Sequence, residues 1–333
     1  MATAIYRAAT SGNYRGLKVF APVTITNSQS GATGSNFQQL FTINSNSYSG
    51  LQTGNLGNVY FTDTSFSAVS SWLESGETNT STTTNYWLLL ASGISGSSSF
   101  TVNLIFDLSM ANAKNTTTNG AEPNYTGTYA QYDNGAVIFY KYWNFAGTTM
   151  PTGWTAVSSP TFNNGVTLDT TSFQQIYTST TYNPQAYVFH AKGYISAPYA
   201  VPGYIVIGWG ANSSPGQNMM QVHAQNGDYL LYNYNGSGSN VDMLVASSTV
   251  SHIFYNWNTS TTNYGQIDGG TVYTNSTNFT NSTAMTAVLS GGTGSSPGET
   301  SVFNYVAFRL IPPNNAMPTT SIGSLQVYPI MVA

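Results

Sequence analysis

The chain has 333 residues, of which 41% are hydrophobic and 14% aromatic. That is enough apolar surface for two packed cores and too much for a disordered polymer. Charged residues make up only 5% and the formal net charge is −4, where an ordinary globular protein carries about 25% charged residues. No basic stripe or cluster exists, which excludes nucleic acid as a partner and gives an acidic membrane surface nothing to hold. Cysteine is absent, so disulfides, thiolate catalysis and Cys-ligated metals are excluded.

So few titrating side chains leave little for pH to act on, and the fold is expected to resist acid. Proteins of a hot cytoplasm carry more charge, not less. The composition therefore points to an exposed extracellular surface. No apolar run is long enough to span a membrane as a helix. The opening MATAIYRAATSGNYRG lacks the apolar core of a secretory signal and reads as a plain translation start. The expectation drawn from it is release by lysis or assembly.

In chain order, GLKVFAPVTITN (16–27), FQQLFTI (37–43), NVYFTD (58–63), YWLLLAS (86–92) and SFTVNLIFD (99–107) are β-branched or aromatic runs bounded by Ser, Thr, Asn and Gly. LSMANAK (108–114) is the one segment that reads as a short helix. NTTTNGAEPNYTGTYAQYDNG (115–135) is polar, has no strand pattern, and reads as a linker. The strand pattern resumes with AVIFYKYW (136–143), AYVFHAKGYI (186–195), GYIVIGWG (203–210), DYLLYNY (228–234), VDMLVAS (241–247), SVFNYVAFRLI (301–311) and SLQVYPIMV (324–332). Asn-Gly pairs at 119, 134, 164, 226 and 235 suit tight hairpin turns. The predicted fold class is all-β, with two β-sandwich or jelly-roll domains. Residues 1–16 form an N-terminal extension, 17–114 a small sandwich, 115–135 the linker and 136–333 a larger jelly roll.

The strand VFAPVTITNSQSG (19–31), the segment NVYFTDTSFSAVSSWLESG (58–76) and NYWLLLASGISGSSSFTVNLIFD (85–107) resemble a domain of unknown function found in archaeal and bacterial surface proteins. Phe61, Thr62, Asp63, Trp72 and Glu74 match its pattern. The second half, from YDNGAVIFYKYWNFAGTTMPTGW (132–154) to NYVAFRLIPPNNAMPTTSIGS (304–324), is similar to laminin-G or concanavalin-like domains. The resemblance implies a two-sheet fold and an outer-surface location, and no catalytic residues.

Candidate sites follow from residue type and spacing. A glycosidase needs two facing carboxylates, and the closely spaced pair Glu74 and Glu77 straddles a strand end and a turn. His190, His223 and His252 each stand alone on a strand, with no metal-ligand partner nearby in sequence. The expectation is therefore a chain that is not an enzyme, with no cofactor. Calcium is the one ion the acidic positions admit, through Asp133, Asp169, Asp228 and Asp242, although Asp133 and Asp228 also suit turns. N-glycosylation sequons fall at Asn79, Asn115, Asn124, Asn212, Asn235, Asn258, Asn275, Asn278 and Asn281, about as many as chance gives in so Asn-, Ser- and Thr-rich a chain. Trp209, Tyr229, Tyr232, Tyr234 and Trp257 are candidates for a glycan-binding aromatic face.

Two apolar ends, Ala4, Ile5 and Tyr6 at the start and Val327, Tyr328, Ile330 and Val332 at the close, are candidates for strands lent to a neighbouring copy. The leading expectation is a structural subunit of a virion spike, turret or tail fibre of a thermophilic archaeal virus. Its partners would be copies of itself, other structural proteins and host surface glycans, without membrane insertion. The alternatives are a cell-surface filament subunit joined by donor strands and a secreted carbohydrate-binding module.

Overall fold

The computed structural model describes residues 17–169, 174–195, 205–210, 219–225, 228–246, 250–279, 282–291 and 300–328. The described chain is almost entirely strand and turn. It divides into two compact units, and the first is discontinuous. Its residues run up to Phe139 and resume at Pro312, while Tyr140–Ile311 form the second unit.

The first unit is a sandwich. Its strands are β1 (Lys18–Asn27), β2 (Phe37–Ile43), β3 (Val59–Thr62), β4 (Ala68–Val69), β5 (Ser71–Ser75), β6 (Thr84–Leu90), β7 (Ser98–Asp107) and β8 (Asn119–Ala121). The inward-facing residues of the two sheets build the core. Val19, Val23 and Ile25 of β1 face Val102, Leu104 and Phe106 of β7, and meet Phe41, Leu73, Tyr86 and Leu88 of the second sheet. The opposite face of that second sheet is closed by Trp72 and Trp87, whose rings meet Phe139 at 5.2 and 6.0 Å. Phe139 directly follows the short helix α1 (Gly135–Ile138).

The inserted unit holds two larger sheets. Its strands are β9 (Lys141–Trp143), β10 (Trp154–Val157), β11 (Thr161–Phe162), β12 (Val166–Asp169), β13 (Gln175–Thr178), β14 (Tyr187–Ile195), β15 (Ile205–Gly210), β16 (Met219–Gln225), β17 (Asp228–Tyr234), β18 (Gly238–Ala246), β19 (His252–Asn258), β20 (Asn263–Ile267), β21 (Tyr273–Asn275), β22 (Thr286–Ser290) and β23 (Thr300–Leu310). One sheet runs β10-β13-β22-β15-β16-β17-β18 and the other β11-β12-β23-β14-β19-β20-β21, with β9 beside β23. Their facing sides share a core of Trp154, Ile207, Trp209, Leu231, Phe254 and Phe308, among others. The insertion begins and ends at neighbouring points, since the Tyr140 N–H donates to the Phe308 carbonyl at 2.9 Å.

The chain then returns to the first unit as β24 (Thr319–Ile322) and β25 (Gln326–Val327). Both pair with β1, through Val23↔Ile322 and Val19↔Val327. They are separate strands because Pro22, which has no N–H to offer, lies between the two stretches of pairing. Pro22 accepts instead from the Gly323 N–H at 2.8 Å. Two adjacent buried glutamines of β2 fix the entrance and the return. Gln38 Nε2 donates to the Ile138 carbonyl at 3.1 Å, and Gln39 Nε2 to the Pro318 carbonyl at 2.9 Å.

Three expectations are corrected. Residues 115–135 are not a linker. β8 pairs parallel with β5, and the Asn115 side-chain oxygen accepts the N–H groups of Thr117 and Thr118. These side-chain turns give the segment order that its polarity hides. Residues 108–114 are not a helix, because Asp107 and Asn112 accept the Ser109 and Lys114 N–H groups in turns of the same kind. Residues beyond Ile311 do not belong to the second domain, because their partner is the opening strand.

Candidate functional site

β17 reads DYLLYNY. Its alternation buries Tyr229, Leu231 and Asn233 and turns Tyr232 and Tyr234 to the other side of the seven-stranded sheet, where both are half-buried. Their rings stand 6.4 Å apart and only 15° from parallel, and this stacked pair is the aromatic platform of the sheet. Tyr232 lies opposite Gln221 of β16 and Asn240 of β18, and Tyr234 lies opposite Gly238. Asn240 is exposed.

The platform is braced. Gly236, with φ of +101°, makes the hairpin turn to β18, a conformation in which glycine is favoured. A β-carbon at Gly238 would stand 2.6 Å from the Tyr232 hydroxyl oxygen, so the absence of a side chain there makes room for the ring. Asn235 Nδ2 donates to the Phe279 carbonyl and Asn278 Nδ2 to the Gly238 carbonyl, each at 3.2 Å. On the buried side of the same strand a relay of amides joins the two sheets. Asn256 Nδ2 donates to Asn263 Oδ1 at 2.7 Å, Asn263 Nδ2 to Asn233 Oδ1 at 2.8 Å, and Asn233 Nδ2 to the Asn275 carbonyl at 2.9 Å. Such a chain of buried, paired amides rigidifies the strand that carries the rings.

The other three aromatic candidates do not join this face. Trp209 and Tyr229 are 0% exposed and belong to the inter-sheet core. Trp257 is 5% exposed and stacks on Tyr264 in the eight-stranded sheet, at 5.2 Å. A run of aromatics in sequence therefore divides among a core and two sheets, because consecutive residues of a strand point to opposite sides.

The acidic candidates are scattered. Asp133 Oδ1 accepts from the Trp72 indole at 3.0 Å and from the Gly135 N–H at 2.9 Å. Asp169 is held by Gln174, whose side-chain oxygen accepts its N–H. Asp228 is exposed at the start of β17, and Asp242 Oδ1 accepts the Leu244 N–H at 2.7 Å. Among the described residues no three His, Asp or Glu side chains gather where a metal could sit.

Histidines and carboxylates that look solitary in sequence acquire partners. His252 Nδ1 lies 2.6 Å from Asp268 Oδ2, and Asp268 Oδ1 accepts the Ile253 N–H at 2.7 Å. His190 is buried, with Nε2 3.1 Å from the Tyr305 hydroxyl. The side chain of His223 lies outside the described residues. Glu74 and Glu122, both buried, each follow the Leu73↔Ala121 register pair on the neighbouring strands β5 and β8. Sequence spacing gave no sign of that neighbourhood, because the strands are far apart along the chain.

Of the sequons, Asn258 and Asn275 are buried, Asn79, Asn115 and Asn278 half-buried, and Asn124 and Asn235 exposed. Asn212 and Asn281 lie outside the described residues, as do Ala4, Ile5, Tyr6, Ile330 and Val332. Val327 and Tyr328 are partnered within the chain. Val327 pairs with Val19, the Tyr328 N–H donates to the Lys18 carbonyl at 2.9 Å, and the Tyr328 ring meets Phe66 at 4.3 Å.

No family model matches the chain. Over 123 residues, 37% of its length, it is 34% identical to uncharacterized protein 562 of Sulfolobus islandicus rod-shaped virus 1. The chain spans about a fifth of that relative, 21% of its length. Among solved structures it is similar to the Emp47p carbohydrate recognition domain, with 11% identity and a TM-score of 0.40 over 50% of this chain and 92% of that one. It is similar to a β-1,3-glucanase from Mycobacterium marinum, with 9% identity and a TM-score of 0.40 over 51% of this chain and 98% of that one. It is also similar to the Crh5 transglycosylase, with 13% identity and a TM-score of 0.39 over 54% and 86%. These likenesses concern the fold alone.

The expectation of a chain that is not an enzyme is corrected. It rested on the lack of facing carboxylates and of His partners in the sequence, and the fold puts Glu74 and Glu122 on neighbouring strands and His252 beside Asp268. Glycosyl hydrolases and transglycosylases are among the structures similar to it. No helix among the described residues is long and apolar enough to cross a membrane.

Proposed function

We propose that this chain is a structural component of the surface of a virus of a thermophilic archaeon, and that the inserted unit holds glycans on the Tyr232–Tyr234 platform. The observation that carries the binding reading is the pair of half-buried, near-parallel rings braced from behind by the asparagine relay. The face of a phenol ring is electron-rich and accepts the polarised C–H groups of a sugar, while nearby amides serve its hydroxyls. The viral reading is supported by the relative from a rod-shaped virus. The partners on this reading are other structural proteins of the particle, further copies of the chain and the glycans of a host surface.

The test has two parts. Peptides of this chain should be found in purified particles, with antibody labelling on their outside. The full chain should be retained by polysaccharide extracted from host envelopes and released when Tyr232 and Tyr234 are both replaced by Ala. Mass analysis of the polysaccharide after contact shows whether it is held or cut. Particles without the chain would remove the viral reading, and equal retention of the double variant would remove the platform.

A further inference from the structure

The platform reading can be taken further, to the class of glycan, and this step rests on that reading. We infer that the ligand is an uncharged sugar, recognised without any ionic contact. The seven basic residues of the chain are Arg7, Arg15, Lys18, Lys114, Lys141, Lys192 and Arg309. None lies on any strand of the seven-stranded sheet. Lys141, Lys192 and Arg309 belong to β9, β14 and β23 of the other sheet, and Lys18 and Lys114 to the first unit. From Lys192 to Arg309 the sequence contains no Lys or Arg at all, so no segment joining β15 to β23 can bring a guanidinium or ammonium to the rings.

Carboxylate, sulfate and phosphate groups are recognised by such cations, most often in paired hydrogen bonds. The formal charge near the platform has the opposite sign. Asp242 is exposed on β18, two residues beyond Asn240, which puts it about 7 Å along the strand. An acidic sugar laid on Tyr232 would lose its water shell to a sheet whose described strands carry no Lys or Arg. A neutral sugar loses nothing of the kind. Its C–H groups pack against the phenol rings, and its hydroxyls can both donate to and accept from the exposed amide of Asn240, which lies opposite Tyr232 in the register.

The experiment is a binding screen of the full chain on immobilised oligosaccharides of two classes, neutral hexose polymers and their uronic, sialylated or sulfated counterparts, at low and high salt. The expected result is retention by neutral polymers only, unchanged between the two salt levels. Tyr232→Ala should weaken it about tenfold or more, and Tyr232→Phe, which keeps the ring, should weaken it far less. Tyr234→Ala is the second variant, should Tyr232→Ala fail to fold. Retention mainly by acidic polymers, or retention abolished by salt, overturns the neutral class while leaving the platform standing. Failure to bind either class overturns the platform reading itself. Neutral binding that survives both Ala substitutions removes the rings as its cause, and the inference falls with them.

Discussion

Lys18 and Asp107 stand opposite one another in the β1–β7 ladder, with Nζ 3.1 Å from Oδ2. The Asp107 side chain is fully buried and also accepts from the Ser109 hydroxyl and N–H and from the Tyr60 hydroxyl. Burial works against its charge, but the Ser109 bonds and Lys18 outweigh it and hold the carboxyl below its ordinary value. Lys18 is raised, chiefly by its bond to Tyr60 and then by Asp107, against the opposing effect of burial.

The signs fix the pH window. The folded Asp107 has the lower pKa, so its stabilisation is present above the ordinary value of 3.8 and disappears as pH falls through the folded value. Lys18 contributes below 10.5 and loses its contribution above its raised value. Stability from this pair is therefore flat from about pH 4 to about pH 10, and the loss that this pair contributes is confined to strong acid. Asp107→Asn should cost about 1–3 kcal/mol in denaturant unfolding at pH 7, and less at pH 2. A variant as stable as the parent at pH 7 would show that the pair contributes nothing.

Lys114 gives the opposite dependence. It is buried, donating to the Val59 carbonyl at 3.3 Å and to Asn119 Oδ1 at 3.0 Å, with its nitrogen 5.4 Å from the centre of the Tyr86 ring. Burial pulls its ammonium down to about 7. Between that value and 10.5 the unfolded chain binds the extra proton, so stability rises with pH across this range. The burial penalty is relieved above 10.5 and returns in full as pH falls to about 7. Lys114→Met should remove that rise. Unfolding midpoints at pH 7 and pH 10 should differ for the parent and coincide for the variant. A parent with equal midpoints would mean that Lys114 stays protonated in the fold.

Alternation made most strands legible in the sequence. FQQLFTI is β2 to the residue, and the two-sandwich class follows from many short apolar runs between polar turns. What sequence could not show is pairing. Nothing in TTSIGSLQV says that its partner is β1, because register with a distant strand is set by the assembled sheet. The site was partly legible. Tyr232 and Tyr234 are two residues apart and so share a face, but the same rule applied to Trp209 and Tyr229 needs to know which face is the core. His252 and Asp268 meet only because β19 and β20 form a hairpin, and its turn, Thr-Ser-Thr-Thr at 259–262, has no Gly or Pro to announce it.

The returning strands should be part of the first unit's stability. Ile322 and Leu325 pack against its core, and Pro318 supplies the carbonyl to which buried Gln39 donates. Ending the chain at residue 317 strips one side of β1 and removes one of the two carbonyls to which Gln39 Nε2 donates. The expected cost is about 2–4 kcal/mol. Gly323→Ala is the finer probe, since its β-carbon would stand 2.9 Å from Pro22 Cγ. It should cost about 1–3 kcal/mol. If the truncated chain keeps the parent's unfolding midpoint and loses only self-association, measured by sedimentation, then these strands serve a neighbour and not their own sandwich.

Burial divides the sequons in a way that chemistry can check. Asn275 Nδ2 donates to the Leu231 and Ser239 carbonyls at 3.2 and 3.1 Å, and its backbone carbonyl accepts from Asn233. A glycan on that nitrogen would have to occupy the space between the sheets and would displace donors that two buried carbonyls depend on. Asn258, 1% exposed, is closed off by burial alone. Asn124 and Asn235 are exposed. Folded protein from a glycosylating host should therefore carry glycans at Asn124 or Asn235 and none at Asn258 or Asn275. Trypsin cannot report this, as no Lys or Arg separates residues 193–308, so chymotryptic peptides should be weighed instead. Asn275→Ala should cost about 1–3 kcal/mol for each carbonyl it strands. A glycan found on Asn275 in protein that unfolds cooperatively at the parent's midpoint would contradict the asparagine relay, and with it the rigid backing of the tyrosine platform.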